Sequence, residues 1–312
     1  MKSSIFICLL SLMSLLMACD REFLEIKRDK LERIPYTLTD FQSLLNTVNN
    51  PNQSPHELGI IGADEYYVSN GRLATLSQAY QRNGYLWAKE VYEQENVNDW
   101  NNGYSKILYA NIALEGIEKF GTPASDQLWN VLKGEAYFQR AYNHYALAQL
   151  FCPPYAPERI SKKVGLPLRR ESDVTMLPSR STLGEMYDFI LQDLQEAEKL
   201  LPDQAVLKYQ PSKLAVYALY ARIYLQFSDY GRALEYAERY LRITDELLDF
   251  NRINASLRYP FAADNGASNP EIAFFKQALR STILGNRLNV DAMLLGMYEE
   301  NDLRRQGYFH RE

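Results

Sequence analysis

The chain has 312 residues, a formal charge of −5, 46% apolar and 23% charged residues, 15 Gly and 13 Pro. That composition supports one or two sizeable buried cores and excludes disorder, collagen and a disulfide-stapled miniprotein. No Lys/Arg block interrupts it, so the concentrated positive footprint with which proteins release counterions from nucleic acid is missing.

Lys2 and a largely apolar run from Ile5 to Met17 read as a processing signal, too short to span a bilayer comfortably. The run ends in Leu16-Met17-Ala18-Cys19, which resembles a bacterial lipobox; Cys19 would then be diacylated and become the new N-terminus. Residues 1–18 are thus expected to be a lipoprotein signal peptide and 19–36 a charged, lipidated tether. An ordinary secretory signal with an accidental cysteine is the alternative. Cys8 leaves with the signal, so the exported part keeps only Cys152, which forms no internal disulfide and reads as a small hydrophobe at a helix end.

Helix signals dominate the rest. Thr39-Asp40-Phe41-Gln42 has capping-box spacing and predicts a short helix to about Val48, followed by irregular chain over 49–72. From Gly103, an apolar face of Ile107, Ala110, Leu114 and Ile117 runs to Gly121-Thr122-Pro123. Residues 126–151 are apolar almost all round and must be covered on several sides. A long loop to Ser181 is expected to be functional or packed. The box Thr182-Leu183-Gly184-Glu185 then opens a helix with Met186, Ile190, Leu194, Ala197 and Leu201 on one face. Next comes a helix with Leu214, Ala218, Ala221 and Leu225 along its face, a turn at Ser228-Asp229-Tyr230, and a second helix carrying Ala233, Ala237, Tyr240 and Leu241. Ala221, Tyr224 and Ala233 have the small, aromatic, small spacing of a tetratricopeptide unit, which cannot bury its face without neighbours. After Asp249 the pattern weakens into loops with short strands around Ile272-Ala273-Phe274-Phe275. The expected fold is mainly α, an irregular tetratricopeptide-like helical array with long loop excursions.

Chemistry-bearing motifs are sparse. A glycine-rich phosphate loop, HExxH, Cys-x-x-Cys and Gly-x-Ser-x-Gly are all lacking, and the histidines are His56, His144 and His310. Asp64-Glu65 and Glu299-Glu300 read as solvated pairs, and Asp264-Asn265-Gly266 as a turn rather than a metal loop. No catalytic residue, metal or cofactor is expected. Aromatics are the distinctive feature, with 23 Tyr and 3 Trp. Tyr104, Tyr109, Tyr137, Tyr142, Tyr145, Tyr187, Tyr217, Tyr220, Tyr224, Tyr236 and Tyr240 fall at helical spacing and read as packing residues. Tyr66, Tyr67, Tyr85, Trp87, Tyr92 and Trp100, interleaved with Arg72 and other polar residues, remain as a candidate ligand surface, because such rings offer a flat apolar face and a hydrogen-bonding edge to a sugar. Packing against the array edge is the competing reading, strongest for Trp100 in its Asp-Trp dipeptide.

The ordered motifs Cys19-Asp20, Phe23-Leu24-Glu25-Ile26, Asp99-Trp100, Ala110-Asn111, Gly134-Glu135-Ala136-Tyr137-Phe138-Gln139-Arg140-Ala141, Gly165-Leu166-Pro167-Leu168, Arg180-Ser181-Thr182, Ala221-Arg222-Ile223-Tyr224-Leu225, Asn269-Pro270-Glu271-Ile272 and Asp302-Leu303-Arg304 resemble those of the SusD/RagB family of outer-membrane nutrient-binding lipoproteins. The resemblance implies a lipid-anchored, surface-exposed protein of the outer membrane. It would bind an oligosaccharide, or in some members a peptide, and deliver it to a SusC-like TonB-dependent transporter, without catalysis. It further implies an N-terminal helical domain over 37–250 that docks on the transporter. Over 251–312 it implies the start of a C-terminal region, truncated here because family members usually continue well past Asp302-Leu303-Arg304. A tetratricopeptide-type scaffold lipoprotein without a small ligand is the alternative.

Overall fold

The computed structural model describes residues 35–51, 57–120, 127–257, 260–277, 283 and 288–309; the signal segment, Cys8, Cys19, His56 and His310 lie outside them. A compact unit runs from Thr37 to Glu312.

Helix α1, Leu38–Asn49, opens two residues earlier than the spacing predicts. Thr37 is the cap: its hydroxyl accepts from Asp40 N at 3.2 Å, and Thr37 N donates back to the Asp40 carboxylate at 3.1 Å. An Asp at the third helical position closes the reciprocal box that Gln42 was expected to close. Three short elements interrupt the stretch expected to be irregular: α2 (Glu57–Ile61), β1 (Tyr66–Tyr67) and the start of α3 (Asn70–Ala74). Helix α4, Ala79–Tyr85, follows. Helix α5 spans Asn98–Phe120, five residues longer at its start than Gly103 suggested. Its first turn carries Asp99, whose carboxylate accepts from Glu57 N at 3.1 Å and Leu58 N at 2.8 Å and so satisfies the orphan donors of α2.

Helix α6, Gln127–Phe151, is covered on nearly every side, as its sequence requires. It packs on α1, on α5 and on α7 (Leu183–Leu200), which begins with the predicted Thr182–Glu185 box. The core built here includes Ile107, Phe138, Leu147, Leu166, Leu183, Met186, Ile190 and Leu194; a second group joins Phe41 and Leu45 to Leu114, Ile117 and Leu132. Close approach of α1 to α5 needs Gly116, where a Cβ would overlap the Phe41 ring. Within the long loop, β2 (Val164–Pro167) pairs antiparallel with β3 (Arg180–Thr182), a hairpin the sequence reading did not anticipate.

Helices α8 (Lys213–Gln226) and α9 (Tyr230–Leu241) form the expected pair. The buried face of α8 differs from the predicted one. Leu214 is buried as expected, but the inward face continues through Ala215, Val216, Leu219, Tyr220, Ile223 and Tyr224, while Leu225 stands 59% exposed. That helix is apolar on all sides, so periodicity gives no unique inward face. Asp229 caps α9, and Tyr236 stacks on Tyr220 at 4.3 Å between ring centroids. Every residue of α9 is half-buried or exposed, which marks it as the outer layer of the array. The strand expected near Ile272–Phe275 is a turn and extended loop instead. Phe274 is taken up by ring contacts, lying edge-on to Phe138 at 5.0 Å. Beyond it come β4 (Asn289–Val290), antiparallel to β1, and the short helices α10 (Ala292–Gly296) and α11 (Leu303–Tyr308).

Candidate functional site

The structure divides the sequence-derived aromatic cluster. Tyr66 and Tyr85 stack at 6.0 Å, and the Tyr66 hydroxyl donates to Ile61 O at 2.8 Å. Burial, followed by the neighbouring Tyr85 and Glu65, pushes the Tyr66 phenol up to about 12. Tyr85 accepts from Val68 N at 3.0 Å. Tyr92 packs near Phe151, at 6.1 Å. These three, with Ile61, Val68, Leu76 and Tyr80, make a small satellite core. Trp100 lies 4.7 Å from Tyr104 and edge-on to Phe151 at 5.1 Å, packed on the main core. Arg72 sits half-buried in the last turn of α3. The exposed members are Tyr67 and Trp87, at 48% and 81%. Trp87 has φ of 51°, a left-handed conformation unusual for a bulky residue, just past the end of α4.

Most tyrosines expected to pack do so; Tyr145, Tyr187, Tyr220 and Tyr224 are buried, whereas Tyr109 faces outward. Cys152 is half-buried, 3.9 Å from Met186 Sδ, and burial raises its thiol. His144 is fully enclosed. Its Nδ1 donates to Arg140 O at 2.8 Å, and desolvation lowers the ring to about 3, which keeps it neutral. Among the described residues, no group of three or more His, Cys, Asp and Glu is placed to hold a metal ion. Asp264-Asn265-Gly266 is a turn in which both Asn265 (φ 56°) and Gly266 (φ 82°) are left-handed, and a Cβ at Gly266 would meet Ile272.

A larger feature was not found by sequence reasoning: a cavity of about 790 Å³ formed by the segment after α9 together with the end of α11. Four aromatic residues line it, and Phe250, Phe261 and Tyr308 among them form one cluster. Phe261 and Tyr308 stack at 5.5 Å, and Phe250 meets them edge-on at 6.1 and 5.7 Å. Asp249 places Phe250 by capping the single turn Phe250–Arg252, accepting from Asn251 N at 3.0 Å. Asp302 caps α11 through Arg304 N and so fixes where Tyr308 projects. Polar groups border the rings: Asp249, Asp264, Glu271, Asn254, Asn269 and Arg252. Rings beside amides and carboxylates can take the apolar C–H face of a sugar while binding its hydroxyls. These aromatics follow no helical or strand period; the Asx turn at Asp249-Phe250-Asn251 was the readable signal of local order.

Solved structures of the SusD superfamily share this fold. A sugar-binding protein from Bacteroides vulgatus superposes with a TM-score of 0.64 at 24% identity, over 78% of this chain and 55% of that one. A SusD superfamily protein from Bacteroides thetaiotaomicron gives 0.58 at 23% identity, over 69% of this chain and 49% of that one. A SusD-like protein described as laminarin-binding gives 0.55 at 16% identity, over 72% and 49%. The sequence model of a SusD-like family, described as starch-binding and associating with the outer membrane, matches residues 22–225, and the chain belongs to that family. SusD-like protein P2 of Formosa agariphila is 31% identical over 141 residues, which is 45% of this chain and 26% of the relative. The chain therefore spans about a quarter of that relative's length, and the cavity segment lies beyond the residues the family model matches. No helix among the described residues is long and apolar enough to cross a membrane.

Proposed function

We propose that this chain captures a glycan at the outer membrane, anchored through lipid on Cys19, and hands it to a SusC-like TonB-dependent transporter. The observation carrying the glycan reading is the three-ring cluster in the cavity wall, bordered by hydrogen-bonding groups, in a chain whose family description is starch-binding. Tyr67 and Trp87 supply further exposed ring surface for the same task. Docking on the transporter is assigned to the outer face of α9, where Tyr230, Leu234 and Leu241 are exposed along one side. The chain carries out no bond-breaking chemistry in this reading; a peptide ligand is the variant within the family resemblance.

Calorimetric titration of the full chain with starch- and laminarin-derived oligosaccharides tests the binding step, and saturable heat is expected for at least one. Silence across both series and across a peptide panel would leave the scaffold reading. Radiolabelled palmitate should enter the wild type and not Cys19→Ala. Gentle solubilisation should bring down a large β-barrel protein; recovery of the chain alone would remove the transporter from the proposal.

A further inference from the structure

Charge around the aromatic cavity is one-sided. Asp249, Asp264 and Glu271 line it, and a smaller adjoining cavity of about 250 Å³, which shares Pro270, adds Asp245 and Glu246. Facing these five carboxylates, the cations among the described lining residues are Arg252 and Lys208. Arg252 pairs with Asp249 at 3.3 Å in an exposed turn, and the described charges around the two cavities remain net negative. Hydrogen bonds from Ser268 keep the Asp264 carboxyl below its ordinary range, so it is ionised at neutral pH. Its Oδ1 is buried without a donor, so this carboxylate acts on the cavity through its charge. Glu271 accepts from Leu248 N at 2.8 Å through one oxygen and remains exposed.

We propose that this cavity selects uncharged oligosaccharides and rejects glycans bearing uronate or sulfate groups, an inference that rests on the glycan-capture reading. The physical reason is direct. A carboxylate accepts a sugar hydroxyl in a charge-assisted hydrogen bond, whereas an anionic substituent meets a lining in which, among the described residues, five carboxylates outnumber two cations. At separations within a Debye length, a few such charges change affinity on the order of tenfold at low salt and less as salt rises.

The test is a paired titration of the full chain at low and at physiological ionic strength with a neutral glucan hexamer and a galacturonate hexamer. Binding of the glucan at least tenfold tighter at low salt, with the gap narrowing as salt is added, is expected. The double variant Asp264→Asn/Glu271→Gln should shrink the glucan-to-uronate ratio severalfold while its melting curve stays cooperative. Uronate binding as tight as glucan, or a ratio unmoved in a folded double variant, overturns charge selection and leaves glycan capture intact. No binding of either hexamer, or of the starch and laminarin series, overturns the capture reading and this inference with it.

Discussion

Helix α6 and the segment from Leu247 to Phe275 use polar side chains in opposite ways. In α6 a set of polar residues is sealed inside and bonded to other helices. Arg140 reaches Asp193 on α7 with two bonds of 2.7 Å and Asn111 on α5 at 2.9 Å, while Glu135 accepts from Asn49 at the end of α1 at 2.8 Å. In the later segment, carboxylates cap their own turns and keep faces toward a cavity. The run Gly134–Ala141, among the most family-like in the sequence, is therefore a clamp joining four helices. The proposed recognition surface lies where the backbone is held largely by local turns.

The contrast makes graded predictions. Arg140→Met strands Asp193, already pushed up by burial, and should cost about 3–5 kcal/mol in urea unfolding; adding Asp193→Leu should recover much of that. If the single variant loses less than about 1 kcal/mol, the clamp is not what joins α6 to α7. Gly116→Ala drives a methyl into Phe41 and should lower stability by about 1–3 kcal/mol.

A pH effect comes next. Burial pushes the Glu135 carboxyl up to about 7 from 4.5. The native state then binds more protons than the unfolded chain between these values, so this group's contribution is fully present below pH 4.5 and is lost as pH climbs to about 7. Glu135→Gln should flatten that fall in the melting temperature. Smallest in stability is Tyr308→Ala: with Tyr308 54% exposed but stacked on Phe261, unfolding should shift by about 1 kcal/mol or less. Its glucan affinity should nonetheless drop by roughly fivefold if the ring wall binds sugar, since an aromatic contact is worth about 1 kcal/mol.

Sequence legibility followed the same division. Where burial imposes a period, as at Ile107, Ala110, Leu114 and Ile117 or in the Thr182–Glu185 box, the helices were readable. Helix α8 shows the limit: with apolar residues all round, inward Val216 and outward Leu225 look alike. The hairpin of β2 and β3 is too short for alternation to register, and its Pro167 argues against a strand. The aromatic cluster before α5 was real as composition, but Tyr66, Tyr85 and Tyr92 were drawn into a satellite core by contacts with residues as distant as Ile283 and Leu288. Phe250, Phe261 and Tyr308 meet across a sequence gap that no local pattern records.

The pairing of Tyr66 with Val290 carries a kinetic consequence. Helices α5 to α9 can assemble largely from neighbours in sequence, while this two-residue ladder must close a loop of more than two hundred residues for very few bonds. The clasp therefore forms late and opens first. In hydrogen exchange, the amides of β1 and β4 should trade with solvent while α6 stays protected, so that the exposed Tyr67 is carried on one of the most easily released elements of the molecule.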